Sequence, residues 1–249
     1  MNARFFPVLF FFGLILPLQA QFVQLGYGYG IHFYDFGGFN EVIDRYNGAH
    51  VLDEAMPNFT YLDGFSFQFT AGKKRWLFSY GTSAGTKVRK ALYTAGNDKF
   101  YRRALRMRNI DYKLGIGYLI AKSKRFALVL GLEGIAGRLR VDGRVYGVGD
   151  GRPEWDEVEK DWNFGASPSL MFIFGKKSGI AVVPYYVYYF TDSSADFLDK
   201  ALNASANLPS LENPNVVLHH YGLRLMFSFQ GKPEGSLSKK VHDEGDSRL

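Results

Sequence analysis

The sequence predicts an all-β protein: an eight-stranded antiparallel up-and-down transmembrane β-barrel with short helices in its outer loops. The sequence contains eight candidate strands, and six of them clearly alternate apolar residues with small or polar ones, as a barrel wall in lipid must. The connections between these segments alternate between short and long. Aromatic residues make up 17% of the chain and Cys is absent, a composition that favours short extended segments over helices or a disulfide scaffold.

The N-terminus has the charge, apolar core and small-residue exit of a secretory signal peptide. Arg4 precedes the apolar run Phe5 to Leu16, which Pro17 to Ala20 then follows. We expect residues 1–20 to be removed on export, residues 21–230 to form an outer-membrane barrel, and residues 231–249 to form a polar periplasmic tail. After the signal no run of about 18 apolar residues recurs, so no membrane helix is expected.

In six segments one face is apolar and the other is small or polar, so the orientation of the side chains is clear. A soluble barrel would carry its charges outward and its apolar side chains inward, which is the reverse. The residues expected to face lipid are Val23, Leu25, Tyr27, Tyr29, Ile31 and Phe33 in the first segment, Phe65, Phe67 and Phe69 in the second, Trp76, Phe78 and Tyr80 in the third, Ile110, Tyr112, Leu114, Ile116, Tyr118 and Ile120 in the fourth, Trp162, Phe164, Leu170, Phe172 and Phe174 in the sixth, and Tyr221, Leu223, Leu225, Phe227 and Phe229 in the eighth.

The other two segments are harder to orient. The fifth begins with apolar residues at alternate positions from Phe126 to Leu132, but the alternation slips near Glu133 and Gly134, which predicts a β-bulge there. The seventh, residues 180–191, is apolar on both faces and contains Pro184, so its phase cannot be read.

Short connections contain basic residues and long ones are expected outside the cell, because bacterial barrels have short periplasmic turns. The short ones are Gly72 to Arg75, Ala121 to Arg125 and Gly175 to Ser178, and the long ones span roughly residues 35–58, 92–103, 143–160 and 192–214. Two helices are expected in long connections. Asn40 would cap Glu41 to Tyr46, and Ser194 would cap Ala195 to Leu202.

The signal peptide, the eight alternating segments and the terminal run Leu225 to Phe229 together resemble the small OmpA-like and OmpX-like outer-membrane barrels. The junction Gln19-Ala20-Gln21 and the first strand look like members from Bacteroidota. The resemblance covers nearly the whole mature chain and implies the fold and an outer-membrane location. It also implies that the terminal aromatic strand is the signal read by the barrel-assembly machinery. Members of this family act as adhesion proteins, envelope-stability proteins, transport accessories and, in some cases, lipid-modifying enzymes, so the fold does not choose a function.

Charged and imidazole side chains fall on the lumen phase of the strands. They are His32, Asp111, Lys113, Glu133, His220 and Arg224. A proton or ion path is one interpretation of this lumen polar cluster. We favour a paired network that fills the lumen, because the interior of an eight-stranded barrel is just wide enough for side chains.

Two further sets of residues are expected near the membrane surfaces. Arg102, Arg103, Arg106 and Arg108 lie where the fourth strand leaves the outer leaflet and are expected to contact lipopolysaccharide phosphates or to mark a solvated strand end. Trp76, Trp162, Phe172 and Phe174 are expected in the aromatic girdles.

No metal, cofactor or catalytic residue is expected. His219 and His220 are adjacent, so in a strand they point to opposite faces and do not readily chelate one ion. The third long connection is rich in acids but lacks the ligand spacing of a calcium loop. These acids are Asp150, Glu154, Asp156, Glu157, Glu159 and Asp161.

The sequence therefore favours a non-enzymatic outer-membrane protein, with an envelope-structural role or a role in binding a partner through its outer loops. The alternatives are a small-solute pore, an outer-membrane enzyme acting on lipid, for which His219 is the only candidate residue, and a soluble periplasmic barrel. The expected partners are outer-membrane lipid, lipopolysaccharide and another envelope protein. The formal charge of +6 is compatible with nucleic acid, but export argues against such a partner.

Overall fold

The computed structural model describes residues 22–95, 99–123, 125–175, 178–203, 206, 208, 211 and 215–231. Eight long strands form a closed barrel in which every neighbouring pair is antiparallel. The order around the barrel follows the chain, and the last strand closes on the first. The long strands are β1 (Phe22–Tyr34), β2 (Leu62–Lys73), β3 (Trp76–Thr94), β4 (Phe100–Lys122), β5 (Phe126–Gly147), β6 (Asp156–Gly175), β7 (Ser178–Tyr189) and β10 (His220–Gly231).

The connections at one end of the barrel are short turns, and those at the other end, called the outer end here, carry further elements. Helix α1 (Gly37–Ala49) follows β1, and helix α2 (Asp196–Asn203) lies between β7 and β10. Two short strands, β8 (Ser193–Ser194) and β9 (Asn215–Val216), pair beside α2. Neither helix, nor any other in the described part of the chain, is long and apolar enough to cross a membrane.

The barrel wall has an apolar outer surface, as the six clear segments predict. Leu114, Phe227 and the other predicted lipid-facing residues from Leu25 onward point outward, and most of them are 37–76% exposed. Their strand neighbours point inward and are mostly small, polar or charged. Because a barrel with this polarity hides its polar groups from hydrocarbon, the chain is a transmembrane β-barrel.

Four strands are far longer than a bilayer requires. A membrane strand needs about 9–11 residues, whereas β3 to β6 contain 19, 23, 22 and 20 residues. The two long connections predicted at residues 92–103 and 143–160 are therefore wrong in extent. The first hairpin continues as paired strands as far as Thr94 and Phe100, and the strands of the second extend to Gly147 and Asp156.

The predicted β-bulge at Glu133 and Gly134 is also wrong. Glu133 pairs in unbroken register with Gly115 on β4 and with Ser167 on β6. The sequence pattern suggests a slip because the apolar Ile135 points inward like Glu133 and is 4% exposed. The observed register shifts lie elsewhere, between Leu119 and Ala121 and between Val141 and Asp142.

Strand β7 is apolar on both faces for a similar reason. Val183, Val187 and neighbouring odd-numbered residues pack inside the barrel, while Tyr186 and other even-numbered residues face outward. Pro184 also points outward, and β7 keeps full register with β10 there. The pairing with β6 is interrupted next to Pro184, which has no backbone N–H to donate.

At the outer end an apolar cluster, called the mouth core here, fills the space enclosed by the extended hairpins. The two helices contribute one side of it, and inward-pointing side chains of β3, β4, β5 and β7 contribute the other. Its fully buried members include Phe39, Val42, Ile43, Met56, Phe59, Leu62, Leu105, Met107, Leu139, Val141, Leu198 and Leu202. The helices thus fold back over the barrel mouth.

The first helix begins earlier than predicted, so Asn40 is not its N-cap. The helix starts at Gly37 after Phe36, and Asn40 lies one turn inside it. The Asn40 amide exchanges two hydrogen bonds with the Phe59 backbone, and Asn47 does the same with Met56. These pairs hold the chain after α1 against the helix. The second helix is one residue later than predicted at each end, and the Ser194 hydroxyl accepts the Asp196 N–H at 3.2 Å.

Candidate functional site

All six residues of the lumen polar cluster lie inside the barrel and are at most 4% exposed. Arg224 and Glu133 form an ion pair at 3.2 Å. Asp111 is the centre of a hydrogen-bond network and accepts from Asn109 at 2.7 Å and from Tyr189 at 2.8 Å. Gly137 lies opposite Asp111 on β5, and a Cβ there would lie 2.7 Å from the Tyr189 hydroxyl.

Three members of the cluster converge, although they come from three strands. One ring nitrogen of His32, one of His220 and a carboxylate oxygen of Asp111 lie within 4.8 Å of one another. The Tyr185 hydroxyl is hydrogen-bonded to His32 Nδ1. The sequence predicted His32 and His220 in one lumen polar cluster but did not pair them as ligands, since their proximity depends on the contact of β1 with β10.

Side chains fill the lumen above and below this charged layer. The mouth core lies on its outer side, and a second apolar cluster lies toward the short turns. That second cluster contains Leu77, Val129, Met171, Ile173, Ala181, Val183 and Met226. Two cavities of about 10 and 20 Å³ lie beside this second apolar cluster, each with room for about one water.

A group of basic residues lies on the outward face of the extended hairpins. Arg108, Arg140 and Lys160 are adjacent across β4, β5 and β6 and form a row of three positive charges. Arg138 lies one step nearer the membrane, where it pairs with outward-facing Ile110 and Trp162. These residues, together with Arg106, are called the outer basic patch below.

Like charges directly opposite one another in a sheet repel. Two carboxylates offset this repulsion between the cations of the outer basic patch. Asp142 has a fully buried carboxylate that receives Arg106 at 3.0 Å, Arg108 at 2.8 Å and Arg140. Glu157 receives Arg140 at 3.1 Å and Lys160 at 3.7 Å. Five cations against two carboxylates leave the outer basic patch with a net positive charge.

The structure divides the four arginines that the sequence groups as lipopolysaccharide contacts. Arg106 and Arg108 belong to the outer basic patch, and Arg102 is partly exposed on the same strand. Arg103 instead points inward, donates to the Ala201 carbonyl of α2 and lies 5.6 Å from the Tyr46 ring. Arg103 therefore belongs to the packing of the two helices.

The acidic residues of the third connection do not converge on one ion. Glu157 is paired with the outer basic patch, and Asp161 accepts the Ser194 N–H at 3.0 Å. Glu159 points inward beneath α2 and is 5% exposed. Burial, aided by the nearby Asp161, raises the pKa of Glu159 to about 7.

Aromatic residues mark both edges of the lipid-facing surface. Trp76, Phe172 and Phe174 lie at the short-turn end and Trp162 at the outer end, and all four point outward. His219 stacks on Tyr188 with ring centroids 4.3 Å apart, and its Nδ1 accepts the Tyr189 N–H. Because that nitrogen is already used, His219 is poorly placed to act as a base.

The fold and the filled lumen define a closed transmembrane β-barrel with an ordered outer half. No protein-family model matches the chain, and no curated protein matches its sequence. Among solved structures it is similar to Ail, the attachment invasion locus protein of Yersinia pestis, in complex with the heparin analogue sucrose octasulfate. That similarity has a TM-score of 0.41 and 8% identity, and it covers 84% of this chain and 98% of that one. Neisserial surface protein A (NspA) is similar with a TM-score of 0.37 and 10% identity, over 85% of this chain and 96% of that one. Likenesses at this level carry no inference about function.

Proposed function

We propose that the chain is a non-enzymatic protein of the bacterial outer membrane that binds the phosphate groups of lipopolysaccharide through the outer basic patch. The observation that carries the proposal is the position of the row formed by Arg108, Arg140 and Lys160. It lies immediately beyond the last lipid-facing residues, Ile110 and Trp162, on the same outward face.

The chemistry of this position favours a phosphate-bearing lipid. Outward side chains at the bilayer edge meet lipid headgroups, and Arg forms charge-assisted hydrogen bonds with phosphate oxygens. Asp142 and Glu157 hold the cations in fixed positions without neutralising them all. The ordered hairpins would therefore present a preformed anion site to the outer leaflet.

The pore alternative has less support. The lumen contains a buried charged layer between two apolar clusters, and the two cavities beside the second apolar cluster have volumes of only about 10 and 20 Å³. A path for solutes would need the mouth core to open.

The export signal at residues 1–20 and the tail at residues 231–249 stay predictions, because residues 1–21 and 232–249 lie outside the described part of the chain.

Lipopolysaccharide binding by the purified barrel in detergent tests the proposal. A triple variant, Arg108→Gln, Arg140→Gln and Lys160→Gln, removes the row of charges and keeps polar side chains of similar length. We expect at least about tenfold weaker binding, since one charge-assisted hydrogen bond contributes roughly 1.5–3 kcal/mol. The native protein should also bind dephosphorylated lipopolysaccharide more weakly than the intact form.

The short-turn end supplies a matched control. The triple variant Lys73→Gln, Arg75→Gln and Lys122→Gln removes the same charge from exposed positions on the opposite side of the membrane. We expect its binding to equal that of the native protein. Equal binding by the native protein and the outer triple variant would contradict the proposal, and so would equal losses in both triple variants.

A further inference from the structure

We propose that His32, His220 and Asp111 form a binding site for a divalent transition-metal ion, with zinc as the best match, in the barrel lumen. Two imidazole nitrogens and a carboxylate oxygen are the ligands found in many zinc sites. The three ligand atoms lie within 4.8 Å of one another. Tetrahedral zinc with bonds of about 2 Å requires them to approach further, which side-chain rotation can supply.

The unpaired nitrogens of the two histidines point to a missing ligand. His32 Nε2 and both ring nitrogens of His220 are buried and make no hydrogen bond of normal geometry, although the Leu218 backbone lies near the His220 ring and each histidine is only 1% exposed. A buried polar nitrogen without a partner is costly, and native structures satisfy nearly all of them. One metal ion would satisfy a nitrogen on each ring at once.

The surroundings of the three residues resemble the outer shell of a metal site. A ligating histidine usually uses its other nitrogen in a hydrogen bond, and a ligating carboxylate is hydrogen-bonded as well. Tyr185 supplies such a bond to His32, and Asp111 accepts bonds from Asn109 and Tyr189. These contacts orient Asp111 and His32 toward the site before any ion binds and leave room for the small rotations that bring their ligand atoms onto it.

Lys113 and Arg224 oppose a cation at this place, and Lys113 is the one that lies beside Asp111. The Lys113 ammonium lies 3.9 Å from Asp111 Oδ2 and has no hydrogen-bond partner. Lys113 and Arg224 balance Asp111 and Glu133, so the two histidines can be neutral donors as metal ligands must be. Replacing Lys113 with an uncharged residue should therefore strengthen metal binding, an effect that a purely structural histidine pair does not predict.

The experiment measures zinc binding by the full chain without a polyhistidine tag, after chelator treatment, both in the folded barrel and during refolding with zinc present. Refolding with zinc present detects a site that the ion would enter too slowly once the barrel has closed. We expect one zinc ion per chain, with less than about a tenth as much in His32→Gln, His220→Gln and Asp111→Asn. Lys113→Met should bind zinc about tenfold more tightly, because it removes a positive charge that lies 3.9 Å from Asp111, one of the three ligands.

His219→Gln is the matched control, since His219 neighbours His220 but points to the outside of the barrel, and it should bind zinc like the native chain. Heat-modifiable gel migration identifies variants that fold, and only those are compared. Failure of the native chain to bind zinc in both arms would overturn the proposal. Water would then be the partner of the His32 and His220 imidazoles. Undiminished binding in folded His32→Gln or His220→Gln would overturn it as well. Neither result depends on lipopolysaccharide binding.

Discussion

The membrane half and the outer half of this barrel use the same strands with opposite polarity. On β4, Leu114 points to lipid and Lys113 to the lumen, whereas a few residues earlier Arg106 points outward and Met107 points into the mouth core. The change occurs without a break in the register between β3 and β4. A single sheet thus suits two solvents. In the membrane half apolar side chains face the lipid outside, and in the outer half they pack inside while polar side chains face water.

This difference in polarity predicts that the membrane half and the outer half unfold separately. The membrane half depends on the continuous hydrogen-bonded ladder and its lipid contacts, and the outer half depends on packing like that of a soluble protein. The strongest way to separate them is to damage the mouth core.

Phe39→Ala should cost about 3–5 kcal/mol, because it empties a fully buried aromatic position of the mouth core. We expect proteases to cut the connection between β1 and β2 while the barrel keeps its heat-modifiable gel migration. Phe65→Ala is the control, since Phe65 is 76% exposed on the lipid face. Loss of the whole barrel in Phe39→Ala would show that the two halves do not unfold separately.

Leu114→Lys should destabilise the membrane half by about 2–4 kcal/mol, as a charge on the lipid face does near the bilayer centre. The reverse exchange in the outer half, Lys90→Leu, should change stability by less than about 0.5 kcal/mol, because Lys90 is exposed to water. Urea unfolding in lipid vesicles measures both. Similar losses in the two variants would contradict the change of polarity along β3 and β4.

Asp142→Asn should destabilise the outer half by about 1–3 kcal/mol, because three arginines lose the buried carboxylate that they share. Hydrogen exchange in the hairpin of β5 and β6 is the measurement. Glu157→Gln provides the comparison, and we expect under about 1 kcal/mol there because Glu157 is 40% exposed. An equal effect of the two changes would show that burial of Asp142 does not matter.

Glu159 should give the smallest effect, a dependence of α2 docking on pH. Its pKa of about 7 in the folded protein lies above its ordinary value of 4.5, so its contribution is fully present below about pH 4.5 and is lost as pH rises through 7. Exchange protection of α2, corrected for the intrinsic effect of pH on exchange, should fall between pH 5 and pH 8, a range of about three units around that pKa. Glu159→Gln should remove most of this dependence, and an unchanged dependence would assign it to another group.

The membrane half was predictable from sequence because lipid selects one polarity at alternate positions. The same rule failed in the outer half, where Arg138, Arg140 and Asp142 alternate with inward Leu139 and Val141. Those residues have the strand period with its polarity reversed, and no facing was predicted for them because the fifth segment was oriented only as far as Leu132. The inverted alternation was the signal that could have found Arg138 and Arg140.

The lumen could be predicted in composition but not in geometry. The phase of each strand predicts that His32 and His220 point inward. Their proximity depends on the pairing of β1 with β10, in which Tyr34 lies opposite His220. That register joins the two ends of the barrel and follows from closure, which no local pattern encodes.

Single-cysteine labelling tests the change of polarity most directly, because the chain contains no Cys of its own. A fluorophore attached to Leu114→Cys should be quenched by lipid-chain quenchers and protected from aqueous iodide, and one on Lys90→Cys should show the opposite. A label on Lys90→Cys that lipid-chain quenchers reach as readily as one on Leu114→Cys would contradict the division of the barrel into a membrane half and an outer half.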